Sequence, residues 1–122
     1  MIACTSALLS SIAMSIRQLT PAHLEPFLRQ HPEATILDVR EPWEHEIAAL
    51  KGSRLIPLGM LHIRAEDELE QKESPVVVYC HHGIRSMQAC ALLASFGYTD
   101  LLNLSGGIDR YSNEVDPTIP KY

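Results

Sequence analysis

The sequence predicts an α/β fold with a mainly parallel sheet, because strand-like and helix-like segments alternate along the whole chain. The segment 76–80 is the strongest strand candidate, with three consecutive valines and no polar alternation. Such a run is typical of a central strand that helices cover on both faces. The 122 residues are enough for one domain and too few for two.

Three further short strands are predicted from apolar runs bounded by turn-forming residues. The four predicted strands cover residues 34–40, 54–58, 76–80 and 100–104. Ala34–Arg40 is nearly continuous in apolar residues until Asp38, which again indicates a strand buried on both faces.

Helices are predicted between these strands. The first begins at Pro21, with Thr20 as the capping residue, and ends before Pro32. Gly97 is expected to end the helix over 86–96, in the position where a left-handed glycine closes many helices. The other predicted helices cover 41–47, 61–70 and a short stretch after Gly106–Gly107. The segment 116–122 is broken by prolines and is expected to lie along the surface.

Composition excludes several classes of function. Fifteen acidic and ten basic residues give a net charge of -5, which argues against a broad nucleic-acid surface. No apolar run approaches the roughly 20 residues of a membrane span, so no membrane partner is expected. The three cysteines, Cys4, Cys80 and Cys90, form no C-x-x-C pair. We therefore expect unpaired thiols in a reduced, cytoplasmic protein.

Residues 1–14 are interpreted as a disordered or non-native leader, and residues 15–122 as the domain. The leader lacks the basic region of a secretory signal, and Ser10 and Ser11 interrupt its apolar part. A weak export signal is the alternative interpretation.

Cys80 is the candidate nucleophile. It ends the strongest strand, and a tight loop leads from it into a helix, at the sheet edge where α/β proteins bind ligands. Successive backbone N–H groups, the helix N-terminus and Arg85 are expected to surround the sulfur with positive charge. Gly83 permits the backbone turn. This environment favours a reactive thiolate and would stabilise a persulfide. The alternative is a buried structural thiol.

Three segments resemble the motifs of rhodanese domains, in the same order and spacing. They are Leu37–Glu41 (LDVRE), Val78–Ser86 (VYCHHGIRS) and Asn103–Ile108 (NLSGGI). The similarity runs from about Ile16 to Tyr122. One stretch departs from the family, since Ile47–Ser53 stands where a glycine-rich segment is usual.

The resemblance implies a rhodanese-like fold, with a five-stranded mainly parallel sheet flanked by helices. It also implies a thiosulfate sulfurtransferase in which Cys80 accepts a sulfane sulfur as a persulfide. The acceptor would be cyanide in an assay and a thiol in the cell, or a sulfur-relay protein. The small anionic donor would bind in the loop formed by His81, His82, Gly83, Ile84, Arg85 and Ser86. No cofactor is implied.

Two other functions stay open at this point. The chain could be a sulfur-relay or binding module that turns over small donors poorly. It could also be a cysteine phosphatase or arsenate reductase of the related fold, which is the weaker alternative. Those enzymes have five residues between cysteine and arginine, whereas four separate Cys80 from Arg85. A shorter loop makes a smaller cup, better suited to one sulfur atom than to a phosphate.

The remaining polar residues are assigned supporting roles. Asp38 and Arg40 are expected to brace the loop through an ion pair. His81 and His82 offer no third ligand at a suggestive spacing, so no metal site is predicted. Cys90 is expected to pack in the core. The other histidines are expected on the surface: His23, His31, His45 and His62.

Overall fold

Five parallel strands form the sheet at the centre of the structure, a computed structural model that describes residues 16–122. The strand order is β1-β5-β4-β2-β3. The strands are β1 (Arg17–Leu19), β2 (Thr35–Asp38), β3 (Arg54–Leu55), β4 (Val76–Tyr79) and β5 (Leu101–Leu104). The predicted fold class is therefore confirmed, and every described strand pair is parallel.

The valine run forms the middle of the sheet. Val77 lies in register between Ile36 of β2 and Leu102 of β5. Val76, Val77 and Val78 are each at most 2% exposed, because helices cover both faces of the sheet. Burying apolar side chains on both faces is the main source of stability for such a strand.

The helices divide between the two faces. They are α1 (Pro21–Gln30), α2 (Pro42–Ile47), α3 (Leu61–Glu68), α4 (Ile84–Ser95) and α5 (Gly107–Glu114), with a 3₁₀ turn at Leu58–Met60. Apolar residues of α3 and α4 form one core cluster, and those of α1 and α5 form the other. Within residues 16–122, no helix has the length and apolar character needed to cross a bilayer.

The structure differs from the sequence prediction in several local features. Strand β1 was not predicted individually, because two of its three residues are exposed and it carries no apolar run. The Thr20 side chain contacts the His23 ring and does not cap α1 through a backbone N–H. Helix α4 begins at Ile84, two residues earlier than predicted. The predicted leader over 1–14 lies outside the described residues.

Candidate active site

Cys80 lies directly after β4, at the carboxyl end of the central strand. Its Sγ atom accepts hydrogen bonds from the backbone N–H of Gly83 at 3.1 Å and of Ser86 at 3.4 Å. The residue is only 1% exposed. The sulfur is thus held in a cup of backbone donors, an arrangement that stabilises negative charge.

Gly83 makes the turn from the Cys80 loop into α4. Its φ of 102° lies in the left-handed region, which glycine adopts without the strain that a side chain causes. A Cβ atom here would also lie 3.3 Å from the backbone nitrogen of Gly106. The turn lets α4 start beside the sulfur, so the partial positive charge of the helix N-terminus adds to the cup.

Side-chain hydrogen bonds lead from the sulfur to strand β1. Ser86 Oγ lies 3.4 Å from Cys80 Sγ and donates its hydrogen to Asn103 Oδ1. Asn103 Nδ2 donates in turn to Gln18 Oε1 at 3.0 Å. Asn103 therefore holds the Ser86 hydroxyl beside the sulfur. No sequence pattern predicted a role for Gln18, and Asn103 stood out only as part of the third rhodanese-like motif.

Arg85 forms a bidentate ion pair with Glu44 of α2. The distances are 2.6 Å from Nη1 to Oε1 and 2.9 Å from Nη2 to Oε2. The pairing raises the pKa of Arg85 and lowers that of Glu44 to about 2. The Glu44 side chain is 4% exposed, whereas that of Arg85 is 35% exposed. Glu44 engages two of the five N–H groups that a guanidinium carries.

Glu44 was not predicted as a site residue. Its spacing from Glu41 was the available signal, since the two form a capping box at the start of α2. The box fixes the first turn of α2 and thereby aims the Glu44 carboxylate at Arg85 across the site.

Asp38 and Arg40 form an ion pair whose two side chains are fully buried. Arg40 donates to Asp38 at 2.8 and 2.7 Å and to the Ala48 carbonyl at 2.6 Å. Burial by itself lowers the pKa of Arg40, but hydrogen bonds to Asp38 and Tyr122 raise it above its ordinary value. His45 Nδ1 lies 2.8 Å from Asp38, so His45 joins this network instead of being a free surface residue.

Tyr122 joins the two ion pairs. Its hydroxyl accepts a hydrogen bond from Arg40 and donates one to Glu44, each at 2.7 Å. Its ring stacks on that of His81, with 4.2 Å between centroids. Burial raises the pKa of Tyr122 to about 12, so the phenol keeps its hydrogen near neutral pH. The segment 116–122 lies along the surface as predicted, since none of its residues is buried, but the contacts of Tyr122 with both ion pairs were not predicted.

Helix α5 holds the Cys80 loop from the other side. Ile108 N–H donates to the Cys80 carbonyl at 2.9 Å, and Asp109 N–H donates to the His81 carbonyl at 3.1 Å. Gly107 makes this close approach feasible, because a Cβ atom there would lie 2.5 Å from the Cys80 oxygen and closer still to that of His81. The loop backbone is consequently fixed by α4 on one side and α5 on the other.

Comparison of the amino-acid sequence with known proteins assigns the chain to a family. Residues 21–114, more than half of the chain, match the rhodanese-like domain. The chain belongs to the rhodanese-like domain family. The resemblance drawn from the three sequence motifs is thereby confirmed.

The curated relatives of this rhodanese-like domain differ greatly in length. It is 44% identical over 92 residues to the Rhodanese-like/PpiC domain-containing protein 12, chloroplastic, of Arabidopsis thaliana, covering 74% of this chain and 31% of that protein. It is 30% identical over 104 residues to a sulfurtransferase of Allochromatium vinosum, covering 85% of this chain and 95% of that protein. The chain thus spans about a third of the first relative and nearly all of the second.

Solved structures show the same architecture. The crystal structure of a rhodanese-related protein from Thermoplasma volcanium superposes with a TM-score of 0.67 at 28% identity, covering 81% of this chain and 93% of that one. The likeness supports the five-stranded parallel sheet that the motif resemblance implied.

The remaining predicted residues occupy different environments in the rhodanese-like domain. Ile84 is 72% exposed and is not part of the apolar core. His81 is half-buried, and burial together with neighbouring His82 lowers its pKa. Cys90 packs fully buried in the core, as predicted, and burial raises its pKa to about 12. Such a thiol stays protonated near neutral pH and is a poor nucleophile.

Proposed function

We propose that this protein is a thiosulfate sulfurtransferase in which Cys80 carries the transferred sulfur as a persulfide. The observation that carries the proposal is the pair of N–H groups, from Gly83 and Ser86, that donate to Cys80 Sγ. The attacking thiolate carries its negative charge on Sγ, and fixed backbone dipoles stabilise such charge at little reorganisation cost. The relative named as a sulfurtransferase, which this chain covers over 95% of its length, supports the reaction class.

In the first half-reaction, the Cys80 thiolate attacks the outer sulfur of thiosulfate. A bond forms between Sγ and that sulfur, the sulfur–sulfur bond of thiosulfate breaks, and sulfite leaves with the bonding electron pair. The charge of three negative units is conserved, since the products are a persulfide anion and a sulfite dianion. We assign Arg85 to the binding of the anionic donor, through N–H groups that Glu44 does not engage.

In the second half-reaction, an acceptor removes the outer sulfur. Cyanide attacks it, thiocyanate leaves, and the Cys80 thiolate is restored. A cellular thiol would act in the same way and become a persulfide. Neither step calls for a metal or an organic cofactor, and the covalent intermediate predicts ping-pong kinetics.

The proposal is tested with Cys80→Ser and the matched variant Cys90→Ala. We expect Cys80→Ser to abolish thiocyanate formation, and Cys90→Ala to keep it because Cys90 is a core thiol with a raised pKa. Intact mass after incubation with thiosulfate should increase by one sulfur atom in wild type and Cys90→Ala only. Turnover retained by Cys80→Ser would refute the assignment.

A second candidate is a sulfur-relay module that receives its sulfur from a protein persulfide. It is favoured by a relative named as the probable adenylyltransferase/sulfurtransferase MoeZ of Mycobacterium tuberculosis, which is 29% identical over 104 residues and of which this chain covers only 26%. Persulfide formation on Cys80 from a cysteine desulfurase, without turnover of thiosulfate, would establish the relay. Hydrolysis of an aryl phosphate would contradict both proposals and support a phosphatase.

The cytoplasmic compartment expected from cysteine usage stays a prediction. The Arabidopsis relative is named as chloroplastic, so family membership alone does not fix the compartment. Fractionation of the source cells followed by immunodetection would determine it.

A further inference from the structure

Three potential metal ligands lie close together where the Cys80 loop contacts α5. His81 and His82 belong to the loop, and Asp109 belongs to the first turn of α5. One ligand atom of each lies within 4.8 Å of the other two. From this juxtaposition we propose that His81, His82 and Asp109 form a binding site for a divalent cation of the zinc type.

The backbone sets these side chains together before any ion binds. Asp109 N–H donates to the His81 carbonyl at 3.1 Å, and Ile108 N–H donates to the Cys80 carbonyl at 2.9 Å. Gly107 permits that contact, since a Cβ atom would collide with the same two carbonyl oxygens. The ligands are therefore positioned by the scaffold, which reduces the ordering that metal binding requires.

The donor set favours zinc over magnesium or calcium. Two imidazoles and one carboxylate are common zinc ligands, whereas magnesium and calcium prefer oxygen donors alone. Three protein ligands leave a fourth tetrahedral position for water or another ligand. Tetrahedral bonds of about 2.0–2.2 Å need the ligand atoms to draw closer than 4.8 Å. The His82 side chain, 63% exposed, and that of Asp109, 34% exposed, have room to make this movement.

Two existing contacts must be broken or weakened when the ion binds. The rings of His81 and His82 stack at 4.1 Å, and His82 must turn out of this stack to direct a nitrogen at the ion. Lys121 Nζ lies 3.8 Å from Asp109 Oδ1 and competes with a cation for that carboxylate. The ammonium group therefore opposes binding, and replacing Lys121 by Gln is expected to tighten it.

Cobalt(II) titration tests the site, because its visible absorption reports tetrahedral coordination and identifies thiolate ligands. For this titration, Cys4→Ser and Cys80→Ser are introduced into the 122-residue chain, so that neither of these thiols binds the metal. We expect a tetrahedral cobalt spectrum without thiolate charge-transfer bands, displaced by zinc. His82→Ala and Asp109→Asn should each weaken binding by roughly tenfold or more. Lys121→Gln should strengthen it, and His62→Ala, a change at an exposed histidine on α3, should leave it unaltered.

The outcomes separate this site from the proposed sulfur transfer. The background lacks the Cys80 thiol, so metal binding is measured without turnover and does not depend on the identity of the donor. No cobalt binding, or binding that persists in both His82→Ala and Asp109→Asn, would overturn the metal site. Circular dichroism of the two variants would show that the loss comes from the ligands and not from unfolding.

Discussion

At the scale of single residues, Arg85 forms an ion pair with Glu44, and we propose that it also binds the anionic sulfur donor. Glu44 takes one N–H from each of Nη1 and Nη2, in a pair that is closed to solvent on the Glu44 side. The Arg85 side chain is 35% exposed, so an anion has access to the guanidinium. This division allows Arg85 to anchor α4 to α2 and bind the donor at the same time.

Arg85→Gln tests the donor-binding role. The neutral glutamine amide lacks the charge that attracts thiosulfate, and because it is shorter than the guanidinium it also loses the ion pair with Glu44. We expect the KM for thiosulfate to rise about tenfold, as the loss of one charge-assisted hydrogen bond implies. Arg64→Gln is the control, because Arg64 pairs with Glu68 on the surface of α3. A lower melting temperature with an unchanged KM would show that Arg85 has a structural role only.

Asp38 is the residue on which the buried polar network converges. It accepts hydrogen bonds from the backbone and side chain of Arg40 and from the Tyr79 hydroxyl, and it contacts His45. Burial and the Asp38 charge raise the pKa of Tyr79 to about 12, so Tyr79 remains a donor to this carboxylate.

Asp38→Asn should therefore lower stability as well as activity. The change leaves the Arg40 charge buried without its counter-ion, which typically costs about 3–5 kcal/mol. Urea denaturation measures the effect. Asp100→Asn is the matched control, because its pair with Arg17 is exposed and is worth about 1 kcal/mol or less. Lost activity with an unchanged midpoint would favour a chemical role for Asp38.

At the scale of secondary-structure elements, the contact between α5 and the Cys80 loop depends on Gly107. Its φ of 64° is left-handed, and the position has no room for a side chain because two loop carbonyls lie against it. Gly52 has a similar φ of 79° but open space around it. The two glycines therefore share the backbone conformation and differ in packing.

Gly107→Ala and Gly52→Ala separate these two effects. Gly52→Ala should cost about 1–2 kcal/mol, the strain of a left-handed alanine alone. Gly107→Ala should cost clearly more and should also reduce sulfur transfer, because α5 must move away from the loop carbonyls. Chemical denaturation and turnover of both variants check this. Equal losses of unfolding free energy in the two variants would show that α5 moves away from the loop at no cost in stability.

At the scale of the whole molecule, acid stability should depend on Glu44. The hydrogen bond from Arg85 holds its pKa at about 2, below the ordinary value of 4.5. A carboxylate with a lowered pKa stabilises the folded state above pH 4.5, and this contribution is lost as the pH falls toward 2. Tyr122 donates to the same carboxylate and strengthens the effect.

The variant Glu44→Gln isolates this contribution. We expect wild type to exceed it in free energy of unfolding by about 3 kcal/mol near pH 6, as the pKa difference implies. The excess should shrink between pH 4.5 and pH 2. Denaturant titrations across this range measure it, with Glu70→Gln, a change at an exposed carboxylate, as the control. A pH-independent excess would assign the effect to packing instead of ionisation.

The sequence was sufficient where local patterns carry the information. The valine run over 76–78 predicted a central strand, because a continuous apolar run by itself indicates a strand that is buried on both faces. Gly97 predicted the end of α4 and does adopt a φ of 97° there. Strand β1 was not predicted, because an edge strand of three residues, two of them exposed, shows no hydrophobic periodicity.

The sequence by itself determined the fold class, the order of the elements and the position of Cys80 between a strand and a helix. These features follow from hydrophobic runs, turn residues and the motifs around them. Only the tertiary structure decided the partners: Glu44 for Arg85, Tyr122 for Arg40, and Asp109 for His82. Each pair joins residues from different elements, and their separations in sequence range from 27 to 82 positions. Such contacts arise because the parallel sheet gathers distant segments at one edge, which no local pattern records.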